Sequence, residues 1–383
     1  MQTDIRIAGK KSAAGWLILS LVVAAAGLYG MLQVYTRGQE ASYHISREVP
    51  WGLLIIGYAY FVAISVGTAT IGALSHAFGI ETFHVISKKV AMASLAALIG
   101  AFYLIFWELA GPFDLQALRL IVYFTEFKVS SPIWWMVTFY MLELPLLALE
   151  VYLLASRRNG AAVAAAWVGF FLGIIAYGAL AYVFASNATH PLWHGNGYSL
   201  FFILSAVAAG AGTILVLLAF NRHAPNAERA VSALGKLLFI LLFLMLFMEV
   251  WNLLINLYGG DTELSETMRL FIGDGPLAAN FLYGEIVVGI LIPMLLLLLG
   301  RFGSFGLNAM AGALTLVGVF FARYDIVVGG QMLSRPDTHV PFTLHHYFPS
   351  AAELTLFVSG IGVAATVYFL GRIFLNLDEE VHV

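Results

Sequence analysis

The sequence predicts an all-α integral membrane protein of about ten transmembrane helices. Three observations predict it. Of 383 residues, 61% are hydrophobic and only 11% charged, where an ordinary soluble domain carries roughly 25% charged residues. The apolar residues fall in runs long enough to cross about 30 Å of hydrocarbon. Within each run the apolar character is continuous, whereas the strands of a membrane barrel would alternate. Two function classes drop out at once. With no cysteine, no iron–sulfur cluster, thiol chemistry or disulfide is expected of this chain. A net charge of −3 with no basic run gives no sign of nucleic-acid binding.

In chain order the apolar segments are 14–35, 51–78, 88–110, 132–155, 161–186, 198–220, 234–257, 279–300, 306–326 and 351–375. The first follows Lys10 and Lys11 and contains small residues, as a secretory signal would. Its apolar run of about 20 residues exceeds a typical signal core, so it reads as a helix. The whole chain, 1–383, is then one membrane domain. Orientation follows from Lys and Arg. One side carries Arg6, Lys10, Lys11, Lys88, Lys89, Arg157, Arg158, Arg222, Arg229, Lys236, Arg301 and Arg372; the other carries Arg37, Arg47, Arg119, Lys128, Arg269, Arg323 and Arg335. Twelve against seven predicts that both termini are cytoplasmic. The long loops, 36–50, 111–131, 258–278 and 327–350, then face outside and offer most of the surface for a partner.

A faint repeat runs through the middle. Glu108 and Glu249 are 141 apart, Glu143 and Glu285 are 142 apart, and Gly67-Thr68 precedes Gly212-Thr213 by 145. Pro145 and Pro293 follow the second pair of glutamates. An offset of four helices keeps the topology parallel. It predicts a four-helix bundle over 51–186, a second over 198–326, and peripheral helices at 14–35 and 351–375.

Carboxylates inside apolar helices cost a few kcal/mol or more each and mark sites or pathways. Glu143 lies roughly 16 Å into its helix, near the midplane, and Glu150 about 10 Å deeper on the same face. Together they form a candidate proton pathway. Alternatively, Glu150 snorkels toward Arg157 and Arg158. Glu249 and Glu285, with Asn252, Asn256, Tyr283, Arg323 and Asp325, form a second candidate cluster, whose bland reading is an interhelical network. Trp51, Trp107, Trp134, Trp135, Trp193 and Trp251 sit near helix ends, where interfacial belts are usual. No histidine sits mid-helix, so haem is not expected. A metal site from His345-His346 or His190/His194 is weakly signalled.

Several segments resemble one family in order. Pro50-Trp51-Gly52 with Gly67…Gly72, Glu108-Leu-Ala-Gly-Pro112, Ser131-Pro132-Ile-Trp-Trp, His190-Pro191-Leu-Trp193 and His346-Tyr-Phe-Pro349 before Glu353-Leu354 are similar to motifs of the NrfD/PsrC polysulfide-reductase membrane subunits, HybB/DsrP-like ten-helix branch. Glu108 replaces that family's usual Asp, and Ala110-Gly111 its Gly-Arg pair. The branch's acid early in the fourth helix falls near Trp135, so Glu143 would have to serve instead.

The resemblance implies a multi-pass protein of a prokaryotic cytoplasmic membrane. It implies a subunit exchanging electrons between menaquinol/menaquinone and an extracytoplasmic ferredoxin-like iron–sulfur subunit, with no redox cofactor of its own. Hydrogenase, reductase or multihaem cytochrome subunits are the further partners implied, and proton translocation is an accompanying expectation. Glu108 and His190 become candidate proton acceptors. Trp51, Tyr58, Glu108, Trp135 and Tyr140 become candidate quinone contacts. Glu143, Glu150, Glu249, Glu285, Arg323 and Asp325 become candidate proton-pathway residues. A proton-coupled secondary transporter and a passive membrane anchor of a redox complex are the alternative readings.

Overall fold

The computed structural model describes residues 2–77, 86–109, 122, 125–187, 189–194, 197–222, 226–334, 341–375 and 377. It is all-α apart from a short antiparallel ladder joining Leu333–Ser334 to Thr343–Leu344. Among the described residues ten helices are long and apolar enough to span a membrane: α1 Ala13–Arg37, α2 Leu53–Leu74, α3 Ser87–Leu109, α4 Pro132–Ala155, α5 Asn159–Ala185, α6 Ser199–Ala219, α7 Ala227–Tyr258, α8 Asn280–Leu299, α9 Phe305–Met332 and α10 Ala351–Phe374. Two outrun their apolar segments. α7 opens at Ala227, ahead of the expected 234, with charged residues in its first turns, and α9 continues past Arg323 and Asp325 to Met332, beyond the expected 326. Hydrophobicity reads where lipid ends; a helix continues while its backbone bonds hold.

The packing is centred on α2, which touches α3, α5, α6 and α9. Elsewhere α4 lies along α5, α6 and α8 along α9, and α1 and α3 against α10. Small residues allow the closest crossings. A Cβ on Gly67 would meet the backbone of Ala206, and one on Gly210 the backbone of Gly67, so α2 and α6 cross backbone to backbone. Gly212 meets Gly312 between α6 and α9, and Gly289 meets Gly318 between α8 and α9.

The two prolines predicted inside helices act differently. α4 remains α-helical through Pro145. In α8 the stretch Asn280–Leu291 is a π-helix, and ordinary α-helix resumes at Ile292 with Pro293 in its first turn. A proline ring crowds the carbonyl four residues earlier and offers it no N–H; the wider π turns accommodate that loss just upstream.

The face carrying residues 38–52, 189–194, 259–279, 333–334 and 341–350 is tied together by side chains. Ser350 and Glu353 cap α10 reciprocally. Glu353 also accepts the Tyr347 hydroxyl at 2.5 Å and the His44 N–H at 3.0 Å, while the Tyr347 oxygen accepts the Leu53 N–H at 2.6 Å. Gln331 of α9 grips Trp51, accepting its N–H at 2.9 Å and donating to its carbonyl at 3.1 Å. The entry to α2 is thereby held by two distant parts of the chain.

Candidate functional site

Between α2, α3, α4 and α5, in the half of the protein nearest that tied face, lies a cavity of about 480 Å³. Pockets of 300–1,000 Å³ with apolar walls and a few polar groups are the usual form of small-molecule sites. The walls here are almost wholly apolar, and Trp51, Tyr58 and Tyr140 are the lining residues that carry a polar side-chain atom. The two tyrosine rings meet edge to face with centroids 6.3 Å apart. The Tyr140 hydroxyl is buried with no hydrogen-bond partner. A buried hydroxyl without a partner costs roughly 1–3 kcal/mol, so this residue of the cavity lining keeps an unused donor.

Glu143 follows Tyr140 by three residues on the same face of α4. It is fully buried, and neither carboxylate oxygen has a hydrogen-bond partner. Gly173 of α5 makes the room, since a Cβ there would sit 2.8 Å from Glu143 Oε1. Glu150, two turns further on, is also buried and not splayed toward the surface. The snorkelling alternative for Glu150 does not describe this side chain.

Trp51 leads away from the cavity. It stacks on Trp193 with centroids 5.1 Å apart, and Trp193 lies against the His190 ring at 4.4 Å. Trp193 is buried and donates to the Ile326 carbonyl at 2.7 Å. It is therefore a core residue, as are Trp107 and Trp134, while Trp135 and Trp251 are exposed. Partial burial pulls the His190 pKa below the usual histidine value, against a smaller opposing effect of its hydrogen bond to the Gly330 backbone. Its Nδ1 has no partner.

A second polar group lies between α7, α8 and α9. A small cavity of about 30 Å³ is lined by Glu249, Asn252, Glu285 and Asp325 among apolar neighbours. Glu249 of α7 and Glu285 of α8 face the same cavity. Both Asp325 oxygens and Glu285 Oε1 are buried without partners. Arg323, fully buried, acts electrostatically on Glu249 and Glu285. Its Nη2 donates to the Tyr177 hydroxyl at 2.8 Å and Ser205 Oγ at 2.5 Å, and the guanidinium lies 4.1 Å above the Phe202 ring. Asn256 donates to Asn252 at 2.7 Å. Tyr283 does not join them and is 63% exposed on the other side of α8. Residues two apart on a helix point to roughly opposite sides, so Glu285 and Tyr283 cannot share a direction.

The predicted residues therefore divide. Trp51, Tyr58 and Tyr140 line the large cavity. Glu108 and Trp135 do not: Trp135 donates to the Val129 carbonyl, and Glu108 lies near Tyr43 and Glu353. Burial, and then Glu108 and Glu353, push the Tyr43 pKa up; burial and Glu353 do the same to Tyr347. His190 is separated from the cavity by Trp193 and Trp51. Sequence reasoning passed over Tyr177, Ser205 and Gly173, whose only signal was small or hydroxyl residues within apolar helices. Among the described residues no three His, Asp or Glu side chains are grouped to hold a metal ion. Ala110–Pro112 of the Glu108 motif, Arg119, His84, His223, Arg335, His339 and His382 lie outside the described residues.

Comparison with known proteins gives three likenesses. Residues 42–335 match the family model "Polysulphide reductase, NrfD". The chain is 23% identical over 369 residues to the Hdr-like menaquinol oxidoreductase integral membrane subunit of Archaeoglobus fulgidus, covering 92% of this chain and 90% of that one. It is 22% identical over 414 residues to a selenate reductase subunit of Mesobacillus selenatarsenatis, covering 94% of this chain and 95% of that one.

Proposed function

The chain belongs to the polysulphide reductase family NrfD, and on that footing we propose that it is the quinone-reactive membrane subunit of a respiratory redox complex. In this reading it exchanges electrons between menaquinol/menaquinone and an extracytoplasmic iron–sulfur subunit. The carrying observation is the apolar cavity lined by Tyr140, a residue whose buried hydroxyl has no hydrogen-bond partner. The naming of one relative as a menaquinol oxidoreductase subunit supports it. A quinone ring fits such walls chemically: its faces are apolar, and its two oxygens accept hydrogen bonds as the quinone.

Quinol oxidation releases two electrons to the partner and two protons to the surroundings. The work of this chain is to hold the ring, exclude water and receive protons. Tyr140 holds a ring oxygen and Tyr58 packs beside it. Glu143 receives a proton from the Tyr140 side and Glu150 extends the route toward the cytoplasm, the side on which the Lys and Arg balance predicts both termini. Glu108 and His190, near the outer face, are the proposed outward acceptors. Glu249, Glu285 and Asp325 form a second proposed proton path, with Arg323 offsetting their charge.

The test is made on the purified complex with a menaquinol analogue, following the partner's iron–sulfur EPR signals. Cluster reduction should slow about tenfold in Tyr140→Phe, the equivalent of one hydrogen bond of ~1.4 kcal/mol. Full-rate reduction in both Tyr140→Phe and Glu143→Gln would remove the cavity from the reaction. If dithionite-competent clusters exchange electrons with neither quinol nor quinone, the redox reading itself fails.

A further inference from the structure

Trp51 lines the large cavity, yet what holds it there is a helix that contributes no lining residue, α9. Three features of the C-terminal end of α9 bear on it. The Ile326 carbonyl accepts the Trp193 indole N–H at 2.7 Å. One turn on, Gly330 has no side chain at a point where a Cβ would strike the Trp193 ring. The next residue, Gln331, is 1% exposed. Its amide oxygen accepts the Trp51 N–H at 2.9 Å, and its nitrogen donates to the Trp51 carbonyl at 3.1 Å and to the Val327 carbonyl at 2.7 Å. Turning the amide over would set its NH2 against an N–H and its oxygen against two carbonyls, so the network admits one orientation. Trp51 stands two residues ahead of α2, and Gln331 gives both of its main-chain polar groups a partner. The indole is then held between rings: it stacks on Trp193 with centroids 5.1 Å apart, and Phe184, itself a lining residue, lies nearly perpendicular to it at 5.3 Å.

We infer that Gln331 is a positioning residue of the cavity: by clamping the Trp51 main chain it fixes where the indole stands on the cavity wall, and so how strongly the cavity favours a two-ring quinone head over a one-ring head. The inference rests on the quinone reading above and deepens it by naming what sets the choice of ring. The physical basis is that ring contacts are sensitive to position. Aromatic pairs are favourable as offset or edge-on arrangements with centroids about 4.5–7 Å apart, so an indole free to shift loses contacts that a clamped one keeps. A fused second ring adds flat area for such a contact, and a single ring lacks it. Gln331 touches no quinone and acts through Trp51 alone. A merely structural role is distinguishable, because a less stable complex lowers the amount of active protein and the rates of both quinones in proportion.

The test compares two tail-less electron donors in membranes holding the whole complex: menadiol, with two fused rings, and duroquinol, with one. Gln331→Leu and Gln331→Met keep the bulk of the side chain and remove the clamp. In both, the ratio of kcat/KM for menadiol to that for duroquinol should fall about fivefold from wild type, the size of one aromatic pair. Asn308→Leu removes another buried amide tie, to the Val231 and Phe302 carbonyls at the opposite end of α9, and should leave that ratio as in the wild type. On a Trp51→Leu background, which takes away the indole, Gln331→Leu should move the ratio no further. A ratio unmoved in both Gln331 variants, an equal fall in Asn308→Leu, or a further fall in the double variant overturns the positioning role while leaving the quinone reading standing. A wild-type complex that oxidises neither donor and reduces neither quinone overturns both. Two Gln331 variants are used so that poor assembly of one does not decide the outcome.

Discussion

Two regions of this protein carry buried carboxyls in helices that contain a proline, and they solve the cost of that burial differently. In α4, Glu143 stands with neither oxygen partnered, against a glycine and beside a large apolar cavity. In α8, Glu285 stands in a π-helix with Glu249 and Asp325 around a cavity of about 30 Å³ and with a buried arginine at hand. A lone carboxyl in a dry site is suited to gaining and losing a proton as something arrives beside it. A cluster compensated by a guanidinium is suited to holding a fixed charge balance while protons move among its members. The difference teaches that the same pair of residues, Glu and Pro, becomes a different device according to whether a cation is built beside it.

That contrast can be broken by experiment. The largest expected effect is on the cluster. Arg323→Ala should cost about 3–5 kcal/mol, as the removal of one member of a buried charge set does, and Arg323→Lys should not restore it because a lysine cannot reproduce the planar guanidinium lying over the Phe202 ring. Glu143→Gln, which removes no compensating charge, should stay within about 1 kcal/mol of wild type. Thermal unfolding of the detergent-solubilised complex reads both; equal losses would erase the distinction between the two regions.

Next comes the separation of binding from proton movement. Glu285→Gln should leave the KM for a menaquinol analogue unchanged while lowering the number of protons moved per electron in proteoliposomes. A raised KM with normal proton movement would place the cluster at the ring and not beyond it. A smaller effect concerns the room around Glu143. Gly173→Ala puts a methyl 2.8 Å from Glu143 Oε1 and should destabilise by about 1–3 kcal/mol, the usual range for overpacking. Gly178→Ala on the same helix, where nothing lies within 4 Å, should be neutral or stabilising by up to ~1 kcal/mol.

The smallest effect is a pH dependence at His190. Burial lowers its pKa in the folded protein, below an unfolded value of about 6.5. The neutral ring is then favoured by folding. Its contribution is fully present above about pH 6.5 and is lost as pH falls through the folded pKa. Replacing His190 by Gln should therefore flatten the fall of melting temperature between neutral and mildly acidic pH; an unchanged slope would show that the ring titrates alike folded and unfolded.

The spans were legible because lipid contact demands long, continuous apolar runs, and depth along a span converts directly into residue number. Glu143, Glu285 and Asp325 stood out for the same reason. What sequence could not convey was rotation and partnership. Trp134 and Trp135 are neighbours in the chain, yet the first is buried and the second exposed, a matter of 100° about the axis of α4. Arg323 meets Tyr177 and Ser205 from 146 and 118 residues away, and neither partner bears a charge that would have advertised the pairing. Glu108 opened a recognisable motif, but whether its side chain meets the cavity depends on how α3 is turned toward α10.

The glycine crossings carry a last consequence. Gly67 with Gly210, Gly212 with Gly312 and Gly289 with Gly318 key α2, α6, α9 and α8 together, main chain against main chain. Helices separated by side chains can slide as those side chains change rotamer. Helices in direct main-chain contact have no such play, because close-packed interiors resist compression. A machine that carries cargo by rocking one half against the other needs a yielding joint in the middle. Here the middle is the stiffest part, which suits a stator: a fixed frame past which small particles move while the frame stays still.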